Sequence, residues 1–238
     1  KINSEGQLLW AKRMGGKEAD RGNQITSDLN GNIYLTGNFK DVVDFESGMP
    51  NSKLTSAGFG DAFVAKLNRN GQLIWVKQIG GNLDDVGKSI SLDQFGNILV
   101  TGHFQGTTDF DPGLNVQPMT SLGSFDVFML KLDPDGNFIW VRQIGGRLDD
   151  MATAITSDLN GNVVVSGNFK DTVDFNPGTD IYILKDSGAG NVFVLKLNAE
   201  GEFIWAKSTD GQNIVFSIGM AIDQTGNIFT TGFFRSEV

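Results

Sequence analysis

The side chains best suited to chemistry in this sequence are acidic, and they recur. Asp20, Asp85 and Asp150 stand 65 residues apart, and Asp44, Asp109 and Asp174 repeat the same step. Glu46, Asp111 and Asn176 follow the second set two residues on, and Asp84 and Asp149 sit beside two members of the first. Oxygen-only clusters suit calcium, which takes six to eight oxygen ligands and accepts backbone carbonyls among them. On that reading Asp20, Asp44, Asp85, Asp109, Asp111, Asp150 and Asp174 are candidate calcium ligands. The same short carboxylates also cap turns by accepting backbone N–H bonds, and spacing alone does not separate the two roles. No Asp-x-Asp-x-Asp-Gly loop with a distal glutamate is present. Paired carboxylates serve glycoside hydrolysis when they flank a sugar. An active site is normally unique, however, whereas these residues recur along the whole chain.

Other chemistries are poorly supplied. His103 is the single histidine and there is no cysteine, so neither a zinc site nor a Cys–His pair can be assembled from these residues. A Ser–His–Asp triad would need His103 in a pocket. One repeat away its position holds Asn38 and Asn168, and Phe233 two repeats on, which marks a tolerant site. No phosphate-cradling glycine loop occurs. The net charge of −9, with no basic cluster to offset it, argues against nucleic acid and anionic membrane surfaces as partners. No apolar run approaches the roughly 18 residues needed to span a bilayer. Lack of cysteine leaves the compartment open. The chain starts at Lys1 without a visible signal peptide, so an internal window of something longer is expected.

What positions these residues is a tandem repeat. Trp10, Trp75, Trp140 and Trp205 are 65 residues apart, within QLLWAK, QLIWVK, NFIWVR and EFIWAK. Gly31, Gly96, Gly161 and Gly226 keep the same step, as do Phe39, Phe104, Phe169 and Phe234. The repeat units run approximately 1–24, 25–88, 89–153, 154–218 and 219–238, all part of a single domain.

Each unit reads as four strands: SISLD at 89–93, NILVTGHF at 97–104, DVFMLKL at 126–132 and FIWVRQI at 138–144. No segment holds a helical period. The A–B connections (SDLNGN, LDQFGN, IDQTGN) and the C–D connections (LNRNGQ, LDPDGN, LNAEGE) place Asp or Asn first and glycine where a left-handed residue is required. That is the pattern of a type I turn closed by a G1 bulge. Strands apolar on both faces need cover on both sides, which a ring of packed four-stranded sheets provides. The expected fold is therefore an all-β propeller with one antiparallel blade per 65-residue repeat. Its tryptophans and phenylalanines would fill the spaces between blades. The window covers about 3.66 repeats of what is expected to be a larger ring.

The run DVFMLKLDPDGNFIWVRQIGG, followed by SDLNGNVVVSGNF and DFNPG, resembles the bacterial SBBP β-propeller repeat family. The likeness extends over nearly the whole chain. It implies a large secreted or surface-exposed protein, with about seven blades and a Bacteroidetes-like flavour in DFDPG. The last unit departs from the pattern: STDGQNIVFSIGM replaces the QIGGxLDD type of segment, and Val215 stands where Asp20, Asp85 and Asp150 stand in the others.

A propeller places A–B and C–D turns on one side and the long B–C and D–A connections on the other. The long-loop side holds both aspartate sets and is the expected binding face. A structureless loop of roughly 20 residues is rare, so part of each long connection is expected to form an extra short hairpin; IYILKD at 181–186 reads as a strand. Lys12, Lys77, Arg142 and Lys207 follow the tryptophans on strand D, where charge would guard a sheet edge. The functional expectation is a non-enzymatic, secreted or cell-surface module that binds a protein or glycan. Its alternative is a structural subunit or spacer of an envelope or secretion assembly. A hydrolase centred on the ring would need blade-specific polar residues on the A strands, and ITSD, SISLD, AITSD and GMAID supply none.

Overall fold

The computed structural model describes residues 1–186, 190–209 and 214–235; the side chains of Ile214, Phe234 and Arg235 also lie outside what is described. The first full unit comprises β1 (Arg21–Ser27), β2 (Ile33–Phe39), a small hairpin of β3 (Val42–Asp44) and β4 (Lys53–Thr55), then β5 (Asp61–Leu67) and β6 (Leu73–Gly81). The second repeats it: β7 (Asp85–Leu92), β8 (Ile98–Phe104), β9 (Thr107–Asp109), β10 (Pro118–Thr120), β11 (Asp126–Leu132) and β12 (Phe138–Ile144). The third has β13 (Met151–Ser157), β14 (Val163–Phe169), β15 (Thr172–Asp174), β16 (Ile183–Lys185), β17 (Asn191–Leu197) and β18 (Phe203–Ser208). A final hairpin, β19 (Ile214–Ile222) with β20 (Ile228–Arg235), opens a fourth.

The strands form antiparallel meanders in the orders β1-β2-β5-β6, β7-β8-β11-β12 and β13-β14-β17-β18. These are β-propeller blades. The A strands β7 and β13 begin several residues earlier than the apolar pattern indicates, at Asp85 and Met151. Each A strand carries a bulge at the same place, between Gly22 and Gln24, Gly87 and Ser89, Ala152 and Ala154, and Ser217 and Gly219.

The turns form for the reason their sequence suggests. Gly31, Gly96, Gly161 and Gly226 take φ of 78°, 80°, 81° and 87°, which a Cβ would penalise. Before each lies an aspartate whose carboxylate organises the turn; Asp93 Oδ1 accepts the N–H groups of Phe95 and Asn97, both at 2.9 Å.

Side-chain alternation divides each blade between two interfaces. Tyr34, Ala62 and Val64 of the first blade pack with Ile98, Val100, Phe104 and Phe128 of the second. Leu99, Val127 and Met129, on the second blade's other face, pack with Val163, Val165, Phe169 and Phe193 of the third. No blade has an apolar interior of its own; the core lies in the seams. Burying one such phenylalanine contributes about 1.5–3 kcal/mol. Among the described residues no helix is long and apolar enough to cross a membrane.

Candidate functional site

The long-loop face is built from the seams between blades. Each B–C connection folds into a small hairpin that leans on the preceding blade. Gly80 and Gly81, at the end of β6, pair with Asp109 and Thr108 of β9, so the first sheet runs on into the second blade's hairpin. The next seam repeats this with a bridge between Gly145 and Asp174. Instead of free loops, this face presents a row of short hairpins stitched across the blades.

The first recurring aspartate set joins the D–A connection to the B–C connection, while the second closes each hairpin on itself. Asp20 accepts Gly16 N–H at 2.6 Å and Lys40 N–H at 3.1 Å. Asp150 accepts Gly146 N–H at 2.7 Å and Lys170 N–H at 3.0 Å. Asp85 accepts Gly81 N–H at 2.7 Å and the Thr108 hydroxyl at 2.6 Å. In the second set, Asp44 accepts Glu46 N–H and the Ser52 hydroxyl, Asp109 accepts Asp111 and Gln117 N–H, and Asp174 accepts Asn176 and Tyr182 N–H. Asp111 accepts Gly113 N–H at 2.8 Å. All seven carboxylates thus act as turn caps. Among the described residues no three acidic or histidine side chains gather into a group that could hold a metal ion.

One pair escaped the sequence reading. Asp61 and Asp126 open strands β5 and β11, are fully buried, and each accepts a glutamine amide at 2.6 Å, from Gln78 and Gln143. Their other oxygens, Oδ1, are buried with no hydrogen-bond partner. The Asp61 charge adds to the upward push on the Asp85 carboxyl, and the Asp126 charge to that on Asp150. Burial is the larger cause: it pushes the Asp85 and Asp150 carboxyls up to about 7 and raises Asp61 and Asp126 as well. A methyl group on Gly80 or Gly145 would overlap the buried carboxylate opposite, so glycine is required there. The 65-residue step carried this signal, since Asp61 and Asp126 align with each other and with Asn191.

The tryptophans also work across seams. Trp10, Trp75 and Trp140 each lie over the C–D turn glycine of the following blade, Gly71, Gly136 and Gly201. Trp140 donates from Nε1 to Ala199 O at 3.1 Å. Trp205 is half-buried on β18, and the Phe234 side chain lies outside the described residues. Phe39, Phe104 and Phe169 are fully buried, each edge-on to a second ring, Phe45, Phe110 or Phe175. The cation after the tryptophan clasps the next blade as well as lying on an outer strand. Arg142 donates to Gly201 O and Glu200 O, both at 2.9 Å, and Lys12 reaches Gly71 O and Glu46.

Between the stitches lie grooves. The larger, about 850 Å³, runs between β12 and the third blade's hairpin, lined by Val141, Gln143, Met119, Asp174 and Asp180. Its counterpart one seam earlier, about 650 Å³, is lined by Val76, Gln78, Leu54, Asp109 and Asp111. Both combine an apolar floor with amide and carboxylate walls. Between them Leu54 is replaced by Met119, Asp111 by Asn176 and Leu114 by Thr179. His103 is elsewhere: it packs edge-on to Phe125 with ring centroids 5.1 Å apart. Burial pushes its pKa down to about 4, and Nδ1 has no partner.

Comparison with known proteins agrees with this architecture. The β-propeller repeat family SBBP matches residues 9–38 and 74–110. An uncharacterised WD repeat-containing protein, L264, of Acanthamoeba polyphaga mimivirus is 25% identical over 99% of this chain, and the alignment covers 19% of that protein. The regulatory protein FlaEY of Caulobacter vibrioides is 24% identical over 63% of this chain, covering 16% of its own length. The chain therefore spans less than a fifth of either relative.

Proposed function

From a chain that carries SBBP β-propeller repeats, we propose a non-enzymatic scaffold that binds a protein partner along its long-loop face. The observation that supports this reading is the recurring groove at successive seams. Valine, glutamine and aspartate recur at matching positions of both grooves (Val76 and Val141, Gln78 and Gln143, Asp109 and Asp174), while Asp111 gives way to Asn176 and Leu114 to Thr179. A constant frame with variable rims is how a repeat protein builds an extended recognition surface. The likeness to a WD repeat-containing protein agrees with a protein-interaction role. The resemblance to SBBP repeats favours a position outside the cell or at its surface, and a glycan is the other polymer that amide and carboxylate walls would suit.

The buried carboxylates support the non-enzymatic side of this reading. Asp61, Asp85, Asp126 and Asp150 are 0–1% exposed, out of reach of a sugar or peptide while the blades are packed. A second reading, a rigid spacer within a larger envelope or secretion assembly, draws on the backbone stitching at the seams.

The test compares the two faces. Leu114→Glu, Thr179→Lys and Asp180→Lys change the groove rims; Asn70→Lys, Gln94→Lys and Asp135→Lys change the turn face. After cross-linking in the native source, groove variants should lose a partner that turn-face variants keep, with thermal stability unchanged in both. Retention of every partner by all six variants supports the spacer, and loss of a polysaccharide in place of a protein identifies the ligand as a glycan.

A further inference from the structure

We propose that the groove beside β12 takes an extended basic peptide, a partner chemistry that rests on the protein-binding reading above. The peptide's backbone pairs with the open edge of β12, and its lysine or arginine side chains meet the acidic rim.

The backbone half of this recognition comes from the edge itself. β12 is the last strand of its sheet, in the order β12-β11-β8-β7. Among the described residues its outer side is bridged only past its end, where Gly145 meets Asp174. Between Phe138 and Ile144, alternate residues of such a strand turn both N–H and C=O away from their own sheet. A cation commonly guards an exposed edge, but here it is drawn elsewhere. Arg142 donates to Gly201 O, Glu200 O and Val141 O, each at 2.9 Å, so its guanidinium is committed mainly to the next blade's turn.

The groove follows this edge and not one face of the sheet. Val141 packs in the seam with the first blade and Ile144 in the seam with the third, yet both line the same opening of about 850 Å³. Residues 141–145 border one side of it, and the third blade's hairpin and C–D turn form the other. The seven residues of β12 span roughly 20 Å, the reach of about five or six extended residues. Met119 and Phe203 offer apolar contacts to side chains that point inward. Addition of a strand to an open edge draws affinity from the backbone and selectivity from alternate side chains.

Charge chooses the occupant. Asp180 and Glu202 are exposed at the rim and Asp174 is half-buried in the wall, while the one cation among the described lining residues is the engaged Arg142. A second copy of this chain, at net charge −9, is repelled from such a rim. A glycan has no alternating row of N–H and C=O groups with which to extend the sheet. The matching groove along β6 sets Lys53 and Lys77 against Asp109 and Asp111, so a basic peptide should distinguish the two seams.

The experiment uses the whole chain and a fluorescent hexapeptide of alternating lysine and valine, followed by anisotropy and by ¹⁵N amide shifts. The probe should bind, and it should move the amides of β12 more than those of β6. Asp180→Lys should weaken it about fivefold, and added salt should weaken it further. Two further probes are N-methylated, one at every lysine amide and one at every valine amide. Both keep each charge and side chain, but only one loses the donors that face the strand, and that one should bind at least about tenfold more weakly. Equal behaviour of the two N-methylated probes would overturn the proposal, leaving attraction by charge alone. Shifts confined to β6, binding unaltered in Asp180→Lys, or self-association of the chain that moves the β12 amides without a probe would each overturn it too. Failure of the parent probe to bind also ends the strand-pairing proposal. Whether the groove-rim variants still lose a protein partner on cross-linking then decides separately if the protein-binding reading stands.

Discussion

The first two complete seams and the third are built from the same repeat yet held differently. Between blades one and two, and again between two and three, a hairpin pairs with the preceding blade and two buried carboxylates sit beneath it. The third seam lacks both carboxylates, with Asn191 and Val215 in their places. Polar side chains bind across all three gaps: Asn23 donates to Gly87 O at 2.8 Å at the first and Ser89 accepts Ile155 N–H at 3.0 Å at the second. At the third, Asn168 donates to Val215 O at 2.7 Å and accepts Ser217 N–H, while Thr153 meets the Ser217 hydroxyl at 3.1 Å. A blade interface is therefore not one interaction copied; each seam combines constant ring packing with its own polar fastening.

The largest effect should come from ring packing. Phe104→Ala should cost about 3–5 kcal/mol in denaturant unfolding, because a cavity opens between two blades that cannot collapse. Ile139→Ala on β12 should cost well under half as much, since that side chain is 43% exposed. Equal losses would mean that this outer strand is covered as thoroughly as β8.

Next is the buried ion pair under the A–B turn. Lys131 Nζ lies 3.0 Å from Asp93 Oδ2, both nearly inaccessible, and Asp93 also caps the turn. Asp93→Ala leaves the ammonium alone and should cost about 3 kcal/mol. Asp133, at the head of the C–D turn of the same blade, caps its own turn through Asn137, and among the described residues no ion pair reaches it. Asp133→Ala should shift Tm far less, and the pair of melts measures how much the lysine adds.

Gly80→Ala should follow, at about 1–3 kcal/mol, because its methyl would displace the Asp61 carboxylate. Combining it with Asp61→Ala should recover part of the loss if the overlap is the cause, read from a double-mutant cycle.

Much of the frame was legible because it rests on local rules. The tryptophan step gave the period, two-faced apolar runs gave strands β8, β11 and β12 nearly to the residue, and Asp–x–x–Gly gave the turns. The binding face was legible only in outline. The extra hairpin in the B–C connection was already visible in IYILKD, where β16 lies, but its strands are three residues each, too short for a periodic pattern to show that they pair with the preceding blade. The role of Lys12 and Arg142 was similarly hidden, since a cation at a strand edge reads as solvated until the next blade places carbonyls against it. Asp61 and Asp126 were passed over because a single aspartate before an apolar run reads as a strand boundary.

The sequence alone determined the repeat, the strand order within a blade, and the turns, because backbone propensity and side-chain alternation act within a few residues. Tertiary structure decided which carboxylates are buried, which glycines must stay bare, and where the grooves open. Those depend on side chains about 25 or 60 residues apart being brought to one seam, as when Asp85 accepts its hydroxyl from Thr108 and Trp140 settles on Gly201. A repeat can specify each blade by local rules, but desolvation and close packing act only where two blades touch, and there the chain acquires the features that distinguish one seam from the next.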